Sequence, residues 1–222
     1  NSNSPVSLTT STSDLNCAMS GNGQAFVIGA NGTNPEAYIE NANGSWSLTY
    51  IATSLTQFLT CGLNYDGTKA VIASNDGSLK VWNFTISATS IETITSSPRQ
   101  LFAGFGGDNC VICADDLNPF NEVNIFQKNG STWSANTNIN TITGTNIGGV
   151  HLARDSLSCA INDGTDIDVY TRSSTANIFS LLTTISSNVS ASSDRYDIYY
   201  SLQIANNHLA VAYRGKVFNL NT

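Results

Sequence analysis

The stretch that decides the fold is Leu59 to Phe84, LTCGLNYDGTKAVIASNDGSLKVWNF. Three runs of alternating apolar residues are separated by Asp66-Gly67 and Asp76-Gly77. Alternation at a period of two puts successive side chains on opposite faces of a strand, and Asp-Gly tolerates the positive φ angles of a type I′ turn. The stretch therefore reads as three antiparallel strands joined by tight hairpins.

The same grammar recurs on both sides. Leu15 to Ile39 carries Asn22-Gly23 and Asn31-Gly32 at the matching turns, and Leu101 to Phe126 carries Gly106-Gly107 and a longer second loop. Val150 to Tyr170 has Arg154-Asp155 and Asp163-Gly164; Tyr199 to Phe218 has Asn206-Asn207 and Arg214-Gly215. Superimposing Ile28-Gly29, Ile72-Ala73, Ile112-Cys113, Cys159-Ala160 and Val211-Ala212 gives five units whose first and last anchors lie 183 residues apart. A step of about 46 residues falls near the period of propeller blades, and helical repeats of similar length need apolar spacings of three and four instead.

Four units run on into a Thr/Ser/Ile-rich fourth strand: Ser45 to Thr53, Ser90 to Thr95, Thr132 to Asn138, and Ile178 to Ile185. The fifth stops after its third strand, Lys216 to Leu220, while Pro5 to Thr12, PVSLTTST, precedes the first unit with the composition of a fourth strand. The sequence thus predicts an all-β, five-bladed β-propeller of four-stranded antiparallel blades, closed by the N-terminal strand joining the last blade. It forms a single domain over 1–222, with blades near 13–53, 57–96, 99–139, 146–186, and 197–222 plus 5–12. Closure leaves only short outer edges exposed to unwanted strand pairing.

The second unit resembles a WD-repeat blade through Asp66-Gly67, Lys69, Val71-Ile72-Ala73-Ser74, Asp76-Gly77 and Leu79-Lys80-Val81-Trp82. No unit has a Gly-His pair ahead of its first strand, and only this one has the terminal Trp, so the Asp-His-Ser/Thr-Trp network of WD blades is not implied. Blades one and three share Asn34-Pro35 to Trp46, NPEAYIENANGSW, and Asn118-Pro119 to Trp133, NPFNEVNIFQKNGSTW. These resemble the strand-turn-strand of FG-GAP propeller repeats without the Asp-rich calcium loop. The resemblance implies a fold and a habit of binding partners; it implies no catalytic residue.

Composition narrows the function. The chain of 222 residues is 41% hydrophobic, which excludes general disorder, and 11% charged, about half the usual share. Nine Lys plus Arg against sixteen Asp plus Glu give a formal charge of -7 with no basic run, which opposes nucleic-acid binding. No apolar stretch approaches the roughly 18 residues of a membrane-spanning helix. The chain begins at Asn1 without an initiator Met or a signal-type apolar segment, as a processed product or excised domain does.

Chemistry has few places to reside. The innermost strands, Leu15 to Met19, Leu59 to Leu63, Leu101 to Phe105, Val150 to Ala153 and Tyr199 to Ile204, contain no Asp or Glu, so the paired carboxylates of a five-bladed glycosidase are missing. Asp66, Asp108 and Asp155 fall on turns, where Asx chemistry explains them. His151 and His208 form no HxxxH or HxH pair, and no GxSxG is present. Cys17, Cys61, Cys110, Cys113 and Cys159 all fall in predicted strands, where they read as free thiols packed between sheets; Cys110 and Cys113, three apart, point to opposite faces and cannot chelate together. No metal or cofactor is expected, and Asp115-Asp116-Leu117-Asn118 with Glu122 lacks the order of a calcium loop. Sequons at Asn31, Asn43, Asn83, Asn129 and Asn188 favour a surface, secreted or virion-associated setting over the cytoplasm, whereas the strand thiols argue the opposite way.

Strand alternation puts the second-to-third-strand loops and the fourth-to-first connections on one rim. It gathers Glu36, Asp76, Asp115, Asp116, Glu122, Asp163 and Asp166, with Arg99 and Arg195 on the connections. The sequence points to a non-enzymatic module presenting this rigid acidic rim to a protein partner, as part of a surface or particle assembly. Contact residues are expected at Asn34, Pro35 and Glu36, and at Asp115, Asp116, Asn118, Pro119 and Phe120. The alternative is a carbohydrate-binding propeller stacking glycan on Trp46 and Trp133; a glycosidase ranks third.

Overall fold

The computed structural model describes residues 15–55, 57–96, 100–115, 122–136, 147, 149–162, 166–173, 178–186, 202–205, 208–211 and 216–219. Among them are nineteen strands and no helix. Sheet one is β1 (Leu15–Met19), β2 (Ala25–Ala30), β3 (Glu36–Glu40) and β4 (Trp46–Ile51). Sheet two is β5 (Phe58–Leu63), β6 (Ala70–Ser74), β7 (Leu79–Trp82) and β8 (Ile91–Thr95). Sheet three is β9 (Gln100–Phe105), β10 (Cys110–Asp115), β11 (Val123–Asn129) and β12 (Thr132–Asn136). Sheet four is β13 (Gly149–Leu152), β14 (Ser158–Asn162), β15 (Asp166–Thr171) and β16 (Ser180–Ser186); sheet five is β17 (Leu202–Ala205), β18 (His208–Val211) and β19 (Lys216–Asn219). Each is a meander in chain order, four of them four-stranded and the last three-stranded. The expected strand Pro5 to Thr12 lies outside the described residues.

The chain divides into two compact units, Asn1–Gln100 and Leu101–Thr222. In the first, β1 and β2 pack on β5. One face of sheet one supplies Ala25, Val27 and Ala37, and sheet two answers with Phe58, Cys61, Ile72 and Trp82. Small residues on one side let the sheets approach, and large residues on the other fill the space to interior density. The approach is close enough at Gly29 that a Cβ there would lie 2.9 Å from the Phe58 ring. Trp82 is fully buried, meets Phe84 edge-on at 5.6 Å, and donates from Nε1 to the Ser87 carbonyl at 3.0 Å. Its hydrogen bond thus pins the loop that follows its own strand. In the second unit β10 packs on β13, and β13 and β14 pack on β17. Cys110, Ile112 and Ile125 of sheet three share a core with Leu152, Cys159 and Ile161 of sheet four.

Two expectations are corrected. Ile112 was superimposed on Ile28 and Ile72, but it lies on the opposite face of its sheet. Ile72 and Cys159 point back toward the preceding sheet of their unit, whereas Ile112 points forward to the next. A slip of one residue along a strand reverses the face, so anchors chosen by residue type alone carry that error. The consistent marker is an aromatic on the third strand. Tyr38 pairs with Phe26, Trp82 with Ala70, Phe126 with Val111, Tyr170 with Cys159 and Phe218 with Leu209. The first four follow at steps of 44 residues, and the last after 48.

The hairpins also differ from the expected type I′ form, which needs positive φ at both central residues. Gly23, Gly67 and Gly77 have positive φ, but Asn22, Asp66 and Asp76 before them do not. The amides of Gly23, Gly67 and Gly77 donate to the carbonyls of Ser20, Asn64 and Ser74 at 2.9, 3.2 and 3.0 Å. Each turn is thus type I followed by a left-handed glycine; Ser74 N donates to the Ser78 carbonyl and closes a three-residue loop, whereas Ser20 N to Ala25 O and Asn64 N to Lys69 O close four-residue loops. Ser156 takes the glycine position in sheet four with φ 61, and its Oγ accepts from Gly107 N at 2.7 Å. Asn, Asp and Gly are used as expected; the conformation they encode is different.

Gly67 and Gly32 separate backbone strain from close approach. Both have left-handed φ, but a Cβ on Gly67 would fall 2.7 Å from the Ala25 Cβ, while nothing lies within 4 Å of one on Gly32. Gly32→Ala should cost only the left-handed penalty of about 1–2 kcal/mol. Gly67→Ala should cost that plus about 1–3 kcal/mol of overpacking. Urea unfolding of the two variants checks the difference, and equal losses would contradict the inter-sheet approach.

Candidate functional site

Hydrogen bonds between turns fix the two ends of the first unit. At one end Asn22 N donates to the Tyr65 carbonyl at 3.0 Å and its Nδ2 to the Asp66 carbonyl at 3.2 Å, so the β1–β2 and β5–β6 turns are locked together. At the other, Ala52 N donates to the Pro35 carbonyl at 3.0 Å and Asn75 N to the Gln57 carbonyl at 2.6 Å. The connection between sheets one and two is therefore tied to both the β2–β3 loop and the β6–β7 turn. Within this unit the second-to-third-strand loops and the fourth-to-first connection share one edge, as strand alternation predicts.

The expected contact residues are distributed unevenly along that edge. Pro35 is buried, Asn34 and Glu36 are half-buried, and Asn31 and Gly32 form the exposed tip. Glu36 accepts a hydrogen bond from the Tyr38 hydroxyl at 2.6 Å, with both residues on one face of β3. Asp76 serves its own turn: one carboxylate oxygen accepts from the Ser78 amide at 2.9 Å and hydroxyl at 2.6 Å, and the hydroxyl bond above all holds the carboxyl below its usual pKa. Asp155 likewise accepts from the Leu157 amide at 2.9 Å. Glu122 is half-buried ahead of β11, and Asp166 half-buried at the start of β15. Asp115 ends β10; its side chain lies outside the described residues, as do Asp116, Asn118, Pro119, Phe120, Asp163, Arg99 and Arg195.

Two buried polar atoms adjoin this edge without a hydrogen-bond partner: Asn34 Oδ1, in the β2–β3 loop, and Ser74 Oγ, at the end of β6. A buried acceptor that is left unpaired costs about 1–3 kcal/mol, so such atoms are uncommon away from sites that receive a donor from elsewhere.

The remaining candidates have plainer surroundings. Trp46 and Trp133 open the fourth strands of sheets one and three, both half-buried. Trp46 lies 4.9 Å from the Phe26 ring, and Lys128 Nζ lies 5.9 Å from that of Trp133. The five cysteines are free thiols within strands; four are buried, but Cys17 is exposed, so it is not packed between sheets as expected. Burial raises the thiol pKa of Cys61, Cys110 and Cys159, which keeps them protonated and unreactive. His151 is half-buried in β13, and His208 opens β18. Among the described residues no three His, Cys, Asp or Glu are placed to hold a metal ion. Asn31, Asn43 and Asn129 sit on exposed turns and Asn83 is half-buried, while Asn188 lies outside the described residues.

One feature eluded the sequence. The face of sheet one turned away from sheet two is apolar and exposed: Leu15 at 50%, Met19 at 60%, Leu48 at 47% and Ile51 at 36%, with Cys17 among them. Phe26, Ile28 and Trp46 are half-buried on the same face. The equal spacing of Tyr38, Trp82 and Phe126 is the signal that places each sheet's two faces in register. The chain matches no protein-family model, and no curated protein is similar to it.

Tyr38 sits on this face, 7% exposed, with its ring stacked on Phe26 at 4.7 Å. Burial first, then its hydrogen bond and charge interaction with Glu36, push its phenol from 10.0 up to about 12. The folded state holds the phenol proton more tightly than the unfolded chain does. That contribution is complete below pH 10.0 and is lost as pH rises through about 12. Tyr38→Phe should flatten this part of the stability profile, as measured by urea titration across the alkaline range; an unchanged slope would rule out the raised phenol.

Proposed function

We propose that the chain is a five-bladed β-propeller, its last blade completed by Pro5 to Thr12, and that it acts without catalysis by presenting its acidic loop edge to a protein partner. Five successive meanders with a third-strand aromatic recurring every 44 to 48 residues support the propeller, since blade periods run at about 40–50 residues. Further support comes from burial on both sides of the second strands: all of β6 and the residues Cys110–Ala114 and Cys159–Asn162 are buried, as in sheets covered by neighbours front and back.

The observation that carries the binding reading is the unpaired Asn34 Oδ1 on an edge whose backbone is already fixed by Ala52 and Asn75. A stiff loop holding an unsatisfied acceptor two residues from Glu36, on the edge that also carries the Asp76 turn, suits a partner that brings donors and positive charge. Glycan stacking has less behind it, because Trp46 and Trp133 are both half-buried and already engaged by Phe26 and Lys128.

The test is capture of basic proteins from native extract on the immobilised full chain, with Asp115→Lys/Asp116→Lys as the comparison. The double variant should lose the captured set while keeping the wild-type melting temperature, and added salt should weaken capture by the wild type. An identical set on both chains would overturn the acidic edge as the binding surface.

A further inference from the structure

Asn-Gly pairs stand at four hairpin turns, with their asparagines at Asn22, Asn31, Asn43 and Asn129, all exposed. Glycine offers its amide nitrogen to the preceding side-chain carbonyl with no Cβ in the way, so each pair can react with itself. Hydrogen bonding separates them. Asn22 Oδ1 accepts from Ser20 Oγ at 2.7 Å and Gln24 N at 3.0 Å, and Gly23 N donates to the Ser20 carbonyl at 2.9 Å. Asn43 Oδ1 accepts from Ser45 N at 3.0 Å and Ser45 Oγ at 2.6 Å, and Gly44 N donates to the Asn41 carbonyl at 2.9 Å. Asn129 ends β11 and is paired with Thr132 in the ladder to β12. Around Asn31 the bonds fall on the outer residues of the turn instead. Thr33 N donates to the Ala30 carbonyl at 2.9 Å, and Thr33 Oγ1 accepts from Ala30 N at 2.9 Å and donates to its carbonyl at 2.8 Å. Among the described residues nothing bonds to the Asn31 side chain or to the Gly32 amide, and nothing lies within 4 Å of a Cβ built on Gly32.

From this contrast we infer that Asn31 is the site at which the folded chain modifies itself, by deamidation through Gly32 to aspartate or isoaspartate. The deprotonated Gly32 nitrogen attacks Asn31 Cγ: the N–Cγ bond forms, the Cγ–Nδ2 bond breaks, and Nδ2 leaves with its electron pair and a proton as ammonia. Water then opens the cyclic imide at either carbonyl. Gly32 has positive φ, at 79°, and Asn31 does not, which makes Ala30 to Thr33 a type II turn. Types I and II differ by rotation of the central peptide, and glycine accepts either sign of φ, so the Asn31–Gly32 peptide can swing toward Cγ while the Ala30–Thr33 bonds hold. The product replaces a neutral amide with a carboxylate at the tip of the edge that carries Glu36 and the Asp76 turn. The consequence for binding rests on the function proposed above: the added negative charge strengthens attraction to a basic partner.

Peptide mapping by mass spectrometry, on the full chain aged in mildly alkaline buffer with and without urea, tests the chemistry. In urea the four pairs should convert at similar rates, since each is the same dipeptide in an open chain. In the folded chain Asn31 should keep its urea rate within a few-fold, whereas Asn22 and Asn43 should slow by about tenfold or more, because at least two hydrogen bonds must open before attack. Equal slowing at Asn31 and Asn22 overturns the inference, as does a folded chain in which Asn129 converts ahead of Asn31. A second measurement reads the consequence separately, as the salt needed to elute the chain from immobilised oligolysine. Asn31→Asp should elute later than Asn43→Asp, which adds the same charge at the opposite end of sheet one. Conversion at Asn31 with equal elution of the two variants keeps the modification site and sinks the acidic edge; no conversion sinks the site and leaves the edge standing.

Discussion

A sheet with apolar side chains on both faces has to be covered twice, and most of this molecule follows from that requirement. In β6, every residue from Ala70 to Ser74 is buried, although successive side chains point to opposite sides. No single hairpin or meander meets that demand, because a meander hides at most one of its faces by folding against one neighbour. Stacking does: within each unit one sheet covers the next, and the cost of ordering a meander is offset by the contacts it makes with its neighbour. Apolar burial supplies on the order of 25 cal/mol per Å², so the doubly covered second strands are where stability concentrates.

Covering imposes asymmetry. Ala25, Val27 and Ala37 on the forward face of sheet one are small or β-branched, while Phe58, Ile72 and Trp82 on the facing side of sheet two are large. The complementarity explains why glycine is required at position 29, beneath the Phe58 ring, and why cysteine recurs at positions 17, 61 and 159 on the rearward faces: a compact, weakly polar side chain fits beside a large aromatic without demanding a hydrogen bond. It also explains the low charge content. Charged residues fall mainly on turns and on third and fourth strands, as Glu36, Lys80, Glu92 and Asp168 do, and on the turns Asp76 and Asp155 are engaged by their own backbone.

Much of this was legible beforehand. The alternating runs in Leu59 to Phe84 and their echoes gave the sheets and their strand order, because a period of two and an Asx-Gly pair are local signals. Two things were not. Turn type depends on the sign of φ at one residue, and Asn-Gly suits more than one answer; Ser156 in the left-handed region carries no sequence mark at all. The facing of Ile112 depends on which sheet lies in front of it, a long-range fact that residue type does not encode. The candidate edge was legible as a location, since loop order follows from strand order, but the buried state of Pro35 and the unpaired Asn34 Oδ1 depend on how the chain between sheets one and two returns. Spacing between the third-strand aromatics, rather than between aliphatic anchors, carries the register: Tyr38, Trp82, Phe126 and Tyr170 recur every 44 residues.

Sheet one shows how the same design behaves on a face that is exposed among the described residues. Its rearward residues are exposed at the strand positions farthest from the middle, Leu15 and Met19 on β1 and Leu48 and Ile51 on β4, whereas Tyr38 at the centre remains buried. The centre is sheltered from within the sheet: Phe26 stacks on Tyr38 at an interplanar angle of 8°, Trp46 closes against Phe26, and Glu36 accepts the phenol proton's hydrogen bond. Aromatic pairs of this kind add about 0.5–1.5 kcal/mol beyond their area, so a cross-strand ladder partly substitutes for a neighbouring sheet. The substitution works only where two rings lie in register across strands. Aliphatic residues at the margins have no such recourse, and they stay exposed.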